Sequence, residues 1–364
     1  MKELTPQAVL DALRTVVHPE TEKDVVSSGL VQDLNLDDGT ISFSLVFKKS
    51  KNPFANSLKK SCEAAILEKL GADREIIINI GAMEVVHREK SLPDVKNIVA
   101  VASGKGGVGK STVAVNLAVA LALEGYAVGL IDADVYGPSI PKMFGLEGYR
   151  PEIRKIDGKD RIIPAEKYGV KLISIGFFVD EKDALVWRGP MATNALKQLI
   201  QDGNWGELDY LLVDLPPGTG DIHLTLVQTL AVTGVVIVST PQPVALADAV
   251  KGISMFTGRN IQVPVLGLVE NMSWFTPAEL PENRYYIFGR EGCKKLAEEM
   301  NVPLLGQIPL VQGIREGGDD GAPVATKPNS PAGAAFVQLA METVRQTEIR
   351  NASQKPTEIV KITH

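Results

Sequence analysis

The chain has 364 residues, of which 45% are hydrophobic and 23% charged, and its formal net charge is −6 at pH 7. This length suits about two domains of ordinary globular composition. The negative charge argues against sequence-independent nucleic-acid binding, which depends on Lys and Arg that neutralise phosphates. No apolar run reaches the ~18 residues that span a bilayer, and two cysteines build no disulfide framework. We therefore expect a cytoplasmic protein without nucleic-acid or membrane partners.

Residues 1–80 predict a small α+β domain with the element order α-β-β-α-β. Thr5 is a suitable N-cap for a first helix with helically spaced apolar residues. The later elements are predicted at Leu30–Leu36, Thr40–Phe47, Phe54–Leu70 and Glu75–Ile80. Asp37-Asp38-Gly39 separates the first two strands and is typical of a hairpin turn.

Residues 81–96 lose this periodicity and carry charges and a proline, which predicts a linker. Over residues 97–347, short apolar runs alternate with helical segments, a pattern that indicates a mostly parallel sheet covered by helices on both faces. The runs are Ile98–Ala102, Val128–Ile131, Leu172–Ile175, Leu211–Val213, Val235–Val238, Val265–Val269 and Leu304–Ile308. Residues 348–364 are polar and predict a flexible tail.

The segment Gly104–Ser111 has the spacing of a phosphate-binding loop, Gly-x4-Gly-Lys-Ser/Thr, between a predicted strand and a predicted helix. Its glycines allow backbone N–H groups to surround an anion, and the helix N-terminus adds positive partial charge. We expect Lys110 to reach the β- and γ-phosphates of ATP and Ser111 to ligate Mg²⁺. The predicted nucleotide-binding residues of the loop are Gly104, Lys105, Gly106, Gly107, Val108, Gly109, Lys110, Ser111 and Thr112. The alternative is an ordinary glycine-rich turn.

Carboxylates follow two of the predicted strands at the edge where ligands of parallel sheets bind. Alternation along a strand predicts Asp132 and Asp134 on the same side. Asp134 is predicted to orient the attacking water and Asp132 to lie near the hydration shell of the metal. Asp214 ends an apolar strand and is predicted to hold Mg²⁺. For Asp132 and Asp134, an N-cap and a solvated loop acid are the alternative.

The pattern Lys-Gly-Gly-x-Gly-Lys-Ser beginning at Lys105 resembles the deviant Walker ATPases of the MinD/ParA class. That resemblance implies a homodimer that encloses two ATP molecules, with Lys105 acting on the partner's nucleotide. The catalytic residues so predicted are Lys105, Lys110 and Asp134.

Further segments look like the Mrp/ApbC family of P-loop ATPases, which assemble and carry iron–sulfur clusters. The segments are Asp132–Ser139, Arg188–Met191, Asp214–Asp221, Ser239–Gln242 and Glu270–Ser273. Residues 1–80 are similar to the SufT-like domain that is often fused in front of this family. The resemblance implies an α/β P-loop NTPase fold, iron–sulfur client or assembly proteins as partners, and contact between Asn271 and adenine.

The family also has a Cys-x-x-Cys pair after Glu-Asn-Met-Ser, through which two subunits share a [4Fe–4S] cluster. Here Trp274–Gly289 contains no cysteine. Cys62 is expected to be buried in a helix, whereas Cys293 begins one, where a helix N-terminus would lower its thiol pKa. No histidine has a partner at zinc-site spacing, although His223 follows the predicted Walker B aspartate closely enough for a regulatory contact.

These observations predict a slow, Mg²⁺-dependent ATPase of the iron–sulfur cluster carrier family that acts as a dimeric nucleotide switch. The missing cysteine pair leaves one alternative open, an ATP-gated protein-binding module that holds no cluster itself. A MinD- or ParA-like positioning ATPase is less favoured, because the C-terminal segment lacks a basic amphipathic stripe.

Overall fold

The computed structural model divides into two compact units, Met1–Arg88 and Glu89–His364. It describes residues 5–19, 23–37, 40–47, 54–71, 75–82, 92–135, 137–178, 189–259, 261–277, 279–280 and 282–360. The turn residues Asp38 and Gly39, residues 83–91 of the predicted linker, Tyr136, Arg188 and the last four residues of the predicted tail lie outside these ranges.

The first unit has the predicted element order. Its elements are α1 (Pro6–Leu13), β1 (Val31–Asp37), β2 (Thr40–Phe47), α2 (Ala55–Leu70) and β3 (Ile76–Ala82). The central β2 pairs antiparallel with β1 and parallel with β3. Thr5 caps α1 by accepting a hydrogen bond from the backbone N–H of Ala8. Alternate residues of β2, such as Phe43, pack into a core shared with both helices, and Cys62 is buried there as predicted.

The second unit is built on an eight-stranded sheet in the order β13-β12-β11-β4-β10-β5-β9-β8. Its strands are β4 (Val95–Ala102), β5 (Val128–Asp132), β8 (Ala165–Lys167), β9 (Val170–Ser174), β10 (Leu208–Asp214), β11 (Gly234–Ser239), β12 (Val265–Glu270) and β13 (Leu304–Gln307). Each predicted apolar run overlaps one of the parallel strands, although Ile175 and Ile308 lie just beyond β9 and β13. Among the described strands of this sheet, the edge strand β8 alone pairs antiparallel.

Helices cover both faces of this sheet, as the apolar pattern predicts. They are α3 (Lys110–Leu123), α4 (Ile140–Met143), α5 (Gly189–Asp202), α6 (Asp221–Thr229), α7 (Pro243–Thr257), α8 (Gly292–Glu299), α9 (Gln312–Asp319) and α10 (Pro331–Ser353). Strand alternation separates two cores: Val99 and Val101 of β4 pack with α3 and α10, whereas Ile98 and Ala100 pack with α5, α6 and α7.

An antiparallel hairpin of β6 (Ile153–Ile156) and β7 (Lys159–Ile162) is an element that the apolar pattern did not predict. Its turn residues Asp157 and Gly158 have φ values of 50° and 77°. Asp-Gly at such a turn is a hairpin signal. The flanking strand residues are mostly exposed and charged, so no apolar run accompanies the signal.

The predicted tail boundary at Glu348 is wrong, because α10 continues through Ser353. The chain beyond it is also held in place. The Arg350 guanidinium donates to the carbonyl of Lys355 and to the hydroxyl of Thr357, and the N–H of Val360 donates to the carbonyl of Val227. Among the described residues, no helix combines the length and apolar character needed to cross a bilayer.

Candidate active site at the carboxyl edge of the sheet

The loop between β4 and α3 has a shape that requires glycine. Gly107 and Gly109 both have φ of 80°, a left-handed conformation that glycine adopts without steric cost. A Cβ at Gly104 would lie 2.1 Å from the carbonyl oxygen of Asp248 on α7, and one at Gly109 would lie 2.2 Å from Nδ2 of Asn271. The loop is therefore held closely between α7 and the end of β12.

Three polar side chains meet where this loop enters α3. Lys110 Nζ lies 2.7 Å from Oδ1 of Asp214, and the Ser111 hydroxyl donates to Oδ2 of the same carboxylate at 2.6 Å. Asp214, the last residue of β10, is fully buried. Burial raises the pKa of its carboxyl, while the Lys110 charge and both hydrogen bonds act in the opposite direction.

This donor set fits the cofactors that the sequence predicts. A serine hydroxyl and a carboxylate provide the oxygen ligands that Mg²⁺ prefers. Lys110 opens α3, so the unpaired backbone N–H groups of the first helical turn point towards the loop, where an anion would bind.

The two carboxylates after β5 differ in their surroundings. β5 ends at Asp132, so strand alternation does not reach Asp134 and the argument that placed both on the same side is wrong. Asp132 is fully buried and accepts hydrogen bonds from Ser174 Oγ at 2.8 Å and from the Asp134 N–H at 3.2 Å. Burial and, secondarily, the Asp214 charge raise the pKa of Asp132 to about 7.

Asp134 faces the phosphate loop more directly. One of its carboxylate oxygens lies 3.9 Å from Lys110 Nζ, and the residue is 9% exposed. Asp132 accepts a hydrogen bond from the Asp134 N–H and so holds the Asp134 backbone in place. Asp132 itself is buried and is not open to solvent.

One cavity borders the phosphate loop, and a second lies between Asp134 and the segment that follows β10. The first cavity, of about 360 Å³, is lined by Gly109, Thr112 and Asn271 together with apolar residues such as Leu310. The second cavity, of about 410 Å³, is lined by Asp134, Pro216, Pro217, Asp221 and His223, among others. Both volumes are in the range of small-molecule sites.

Three other predicted site residues, Asn271, Gly106 and Lys105, have different surroundings. Asn271 is buried and donates its amide to the carbonyl of Val108 at 2.8 Å, which ties β12 to the phosphate loop. A Cβ at Gly106 would have Pro217 as its nearest neighbour, at 3.8 Å. Lys105 is exposed at the tip of the loop, apart from the cluster of Lys110 and Asp214.

The expectation that Cys293 has a lowered thiol pKa is wrong. Cys293 is fully buried, and burial together with the nearby Glu270 raises its thiol pKa to about 12. Glu270, also fully buried, accepts the Cys293 N–H at 2.7 Å and so occupies the N-terminus of α8. Burial likewise raises the thiol pKa of Cys62 to about 12. Neither thiol is thus available as a surface thiolate.

Hydrogen bonds and a cation–π contact join residues within the segment that lacks the family cysteines. Phe275 and Tyr285 exchange two backbone hydrogen bonds of 2.8 Å, and the Arg284 guanidinium lies 4.4 Å from the ring of Trp274. Within the described ranges, no group of three or more His, Cys, Asp and Glu side chains is arranged to hold a metal ion.

Two buried side chains near the site, Ser174 and Glu270, have supporting roles that the sequence did not indicate. Each acts through a hydrogen bond to a distant segment, so no local motif marks it. An acid directly after an apolar run is the nearest available signal, and it marks Glu270, which follows Val265–Val269 at the end of β12.

Comparisons with known proteins match both units of the chain. A family model described as NUBPL iron-transfer P-loop NTPase matches residues 94–344, and one described as iron-sulfur cluster assembly protein matches residues 6–78. A Synechocystis sp. protein named iron-sulfur cluster carrier protein is 45% identical over 346 residues, which are 93% of this chain and 97% of that protein.

Solved structures give the same fold. A nucleotide-binding protein from Archaeoglobus fulgidus, in complex with ADP, is 36% identical with a TM-score of 0.57, covering 68% of this chain and 94% of that one. The cell division ATPase MinD of Pyrococcus furiosus is 25% identical with a TM-score of 0.51, covering 68% of this chain and 98% of that one.

Proposed function

This chain belongs to the iron–sulfur cluster carrier family of P-loop NTPases, and we propose that it binds ATP with Mg²⁺ and hydrolyses it slowly as a dimeric nucleotide switch. The observation that carries this proposal is the cluster of Lys110, Ser111 and Asp214 at the mouth of the phosphate loop. Iron–sulfur clusters are the cargo, and client or assembly proteins are the partners.

Each residue of the cluster has a distinct role in this proposal. Backbone N–H groups of Gly104–Gly109 surround the phosphates, and Lys110 leaves Asp214 to neutralise the β- and γ-phosphates. Ser111 and Asp214 hold Mg²⁺, which when bound offsets charge on the phosphate oxygens. Asp134, close to Lys110, orients the attacking water, and Asp132 holds the Asp134 backbone.

The first cavity provides the place for the nucleoside. Asn271 lines it beside Gly109 and Thr112, and its carboxamide offers both a donor and an acceptor to an adenine edge. Because the Asn271 Nδ2 group also binds the Val108 carbonyl, base binding and loop conformation are linked through one side chain.

The alternative of a protein-binding module without cargo is not favoured. The family matches cover both units. The Synechocystis sp. relative, which is named iron-sulfur cluster carrier protein, is similar to this chain over nearly its full length. Cys62 and Cys293 are both buried, so neither thiol is a surface ligand in this conformation.

Lys110→Ala tests the proposed function. We expect it to reduce ATP hydrolysis to the background rate and to weaken Mg²⁺-ATP binding strongly, because the phosphates lose their main cation. Lys96→Ala is the matched control, since Lys96 is exposed near the opposite end of β4. Calorimetry with Mg²⁺-ATP and a phosphate-release assay provide the measurements, with circular dichroism to verify folding. Hydrolysis by Lys110→Ala at the wild-type rate would refute the assignment.

A further inference from the structure

His223 is a buried side chain whose ring nitrogens make no well-formed hydrogen bond. It lies in the first turn of α6, is 1% exposed, and contributes to the wall of the second cavity. Neither Nδ1 nor Nε2 makes a hydrogen bond of good geometry, although the carbonyl groups of Gly220 and Pro216 lie close to the ring. A buried polar atom without a partner costs about 1–3 kcal/mol and is uncommon enough to require an explanation.

The surroundings of the ring show where its partners can come from. Phe256 packs near one face, with ring centroids 6.2 Å apart. Burial, and more weakly the Lys110 charge, lower the pKa of His223 to about 4, while the carbonyl groups of Gly220 and Pro216 act in the opposite direction. The imidazole is therefore neutral near pH 7, with one N–H donor and one acceptor, and it faces the backbone of the loop Pro216–Gly220.

That loop connects His223 to the phosphate-binding cluster. It begins just after Asp214, which both Lys110 and Ser111 contact, and ends at α6. With the roles proposed above, any bound Mg²⁺-nucleotide would compete with Asp214 for Lys110 and Ser111 and so release the start of the loop. Only the third phosphate would then distinguish a triphosphate from a diphosphate. A shift of Asp214 would thus be transmitted along a short segment to the carbonyl groups that face the His223 ring.

We infer that His223 is a positioning residue for the reacting end of the nucleotide. When the loop Pro216–Gly220 closes beside the third phosphate, the His223 N–H donates to a carbonyl of that loop and fixes it across the second cavity from Asp134. The inference rests on the proposed ATP binding and adds a residue that distinguishes a triphosphate from a diphosphate.

His223→Phe removes both ring nitrogens and keeps an aromatic ring, and His223→Gln restores a neutral donor and acceptor. Gln228→Ala, an exposed position on the same helix, is the control. Calorimetry with Mg²⁺-ADP and with a non-hydrolysable ATP analogue measures both affinities. We expect His223→Phe to bind the analogue about tenfold more weakly with unchanged ADP affinity and an unchanged or higher melting temperature. His223→Gln should recover most of the loss.

Several results would overturn the inference. These are unchanged affinities in His223→Phe, an equal loss for both nucleotides, or no recovery in His223→Gln. Wild-type protein that binds neither nucleotide would refute the proposed function as well, whereas normal wild-type binding with unaffected variants refutes the inference alone. Should His223→Phe fail to fold, ¹⁵N spectra of the wild-type imidazoles give the same test: the His223 signals shift with the analogue and not with ADP, and equal shifts contradict us.

Discussion

Gly104 is placed so that a single methyl group would disturb the phosphate loop. Its Cβ would lie 2.1 Å from the backbone oxygen of Asp248, which cannot yield without moving α7. We expect Gly104→Ala to destabilise the protein by about 1–3 kcal/mol and to weaken ADP binding. Gly106→Ala is the control, since its Cβ would meet only Pro217 at 3.8 Å. Urea unfolding and calorimetry compare them, and equal effects would contradict the steric argument.

His223 also makes the free energy of unfolding depend on pH. Its pKa falls from 6.5 to about 4 on folding because of burial, so the unfolded chain binds more protons between these values. Stability is then complete above pH 6.5 and is lost as the pH falls towards 4, by about 3 kcal/mol for this group. His223→Phe should therefore lose less stability than the wild type between pH 6.5 and 4.

Asp132 acts in the opposite direction in an overlapping range. Its pKa rises from 3.8 to about 7 on folding because of burial, so its contribution is lost as the pH increases through this range. The wild-type curve contains both effects, and the difference between wild type and His223→Phe isolates the histidine. Urea unfolding at several pH values measures this difference, and parallel curves would show that His223 does not titrate as described.

Glu270 joins three elements at the edge of the sheet. At the end of β12 it accepts the Cys293 N–H of α8 and the side-chain amide of Gln307 on β13, both at 2.7 Å. We expect Glu270→Ala to cost about 2–4 kcal/mol, because both donors lose their acceptor in the interior. Glu270→Gln should cost less, and Glu298→Ala on the exposed face of α8 should have little effect. Thermal unfolding measures this order, and a neutral Glu270→Ala would contradict it.

The elements that sequence predicts well are those with a continuous local signal. Each buried parallel strand is an apolar run, and the phosphate loop is a contiguous motif between a strand and a helix. The hairpin of β6 and β7 lacks an apolar run, and β8 has only three residues. The predicted lowering of the Cys293 thiol pKa was wrong because it used only the position of Cys293 in its helix. The pKa is set by burial and by the Glu270 carboxylate, and both depend on segments distant in the sequence.

In the candidate site, too, the residues with a local sequence signal were predicted and those set by packing were not. Gly104–Ser111 and Asp214 are recognisable by spacing alone, and the structure brings Lys110, Ser111 and Asp214 into contact. The support of Asp134 by Asp132 depends on β5 ending at Asp132, two residues before Asp134, which the alternation argument places on the same strand. The unpaired ring of His223 is a property of packing between α6 and α7, which no spacing rule contains.

At the scale of the whole molecule, the proposed switch requires two chains, and Lys105 tests that requirement. Lys105 is exposed and apart from the Lys110 cluster, so its charge is free to act on a partner's phosphates. We expect wild-type protein to be a dimer with Mg²⁺ and a non-hydrolysable ATP analogue and a monomer with ADP. Lys105→Ala should stay monomeric with the analogue while binding it, because the charge that bridges the subunits is gone.

Light scattering after size exclusion gives the mass, and calorimetry on the same samples gives the affinity. Lys96→Ala removes an exposed positive charge near the other end of β4 and should dimerise like the wild type. If Lys105→Ala also dimerises fully, Lys105 does not act across the interface. If it loses the analogue altogether, Lys105 serves its own nucleotide, and the cation that joins the subunits lies elsewhere on the surface.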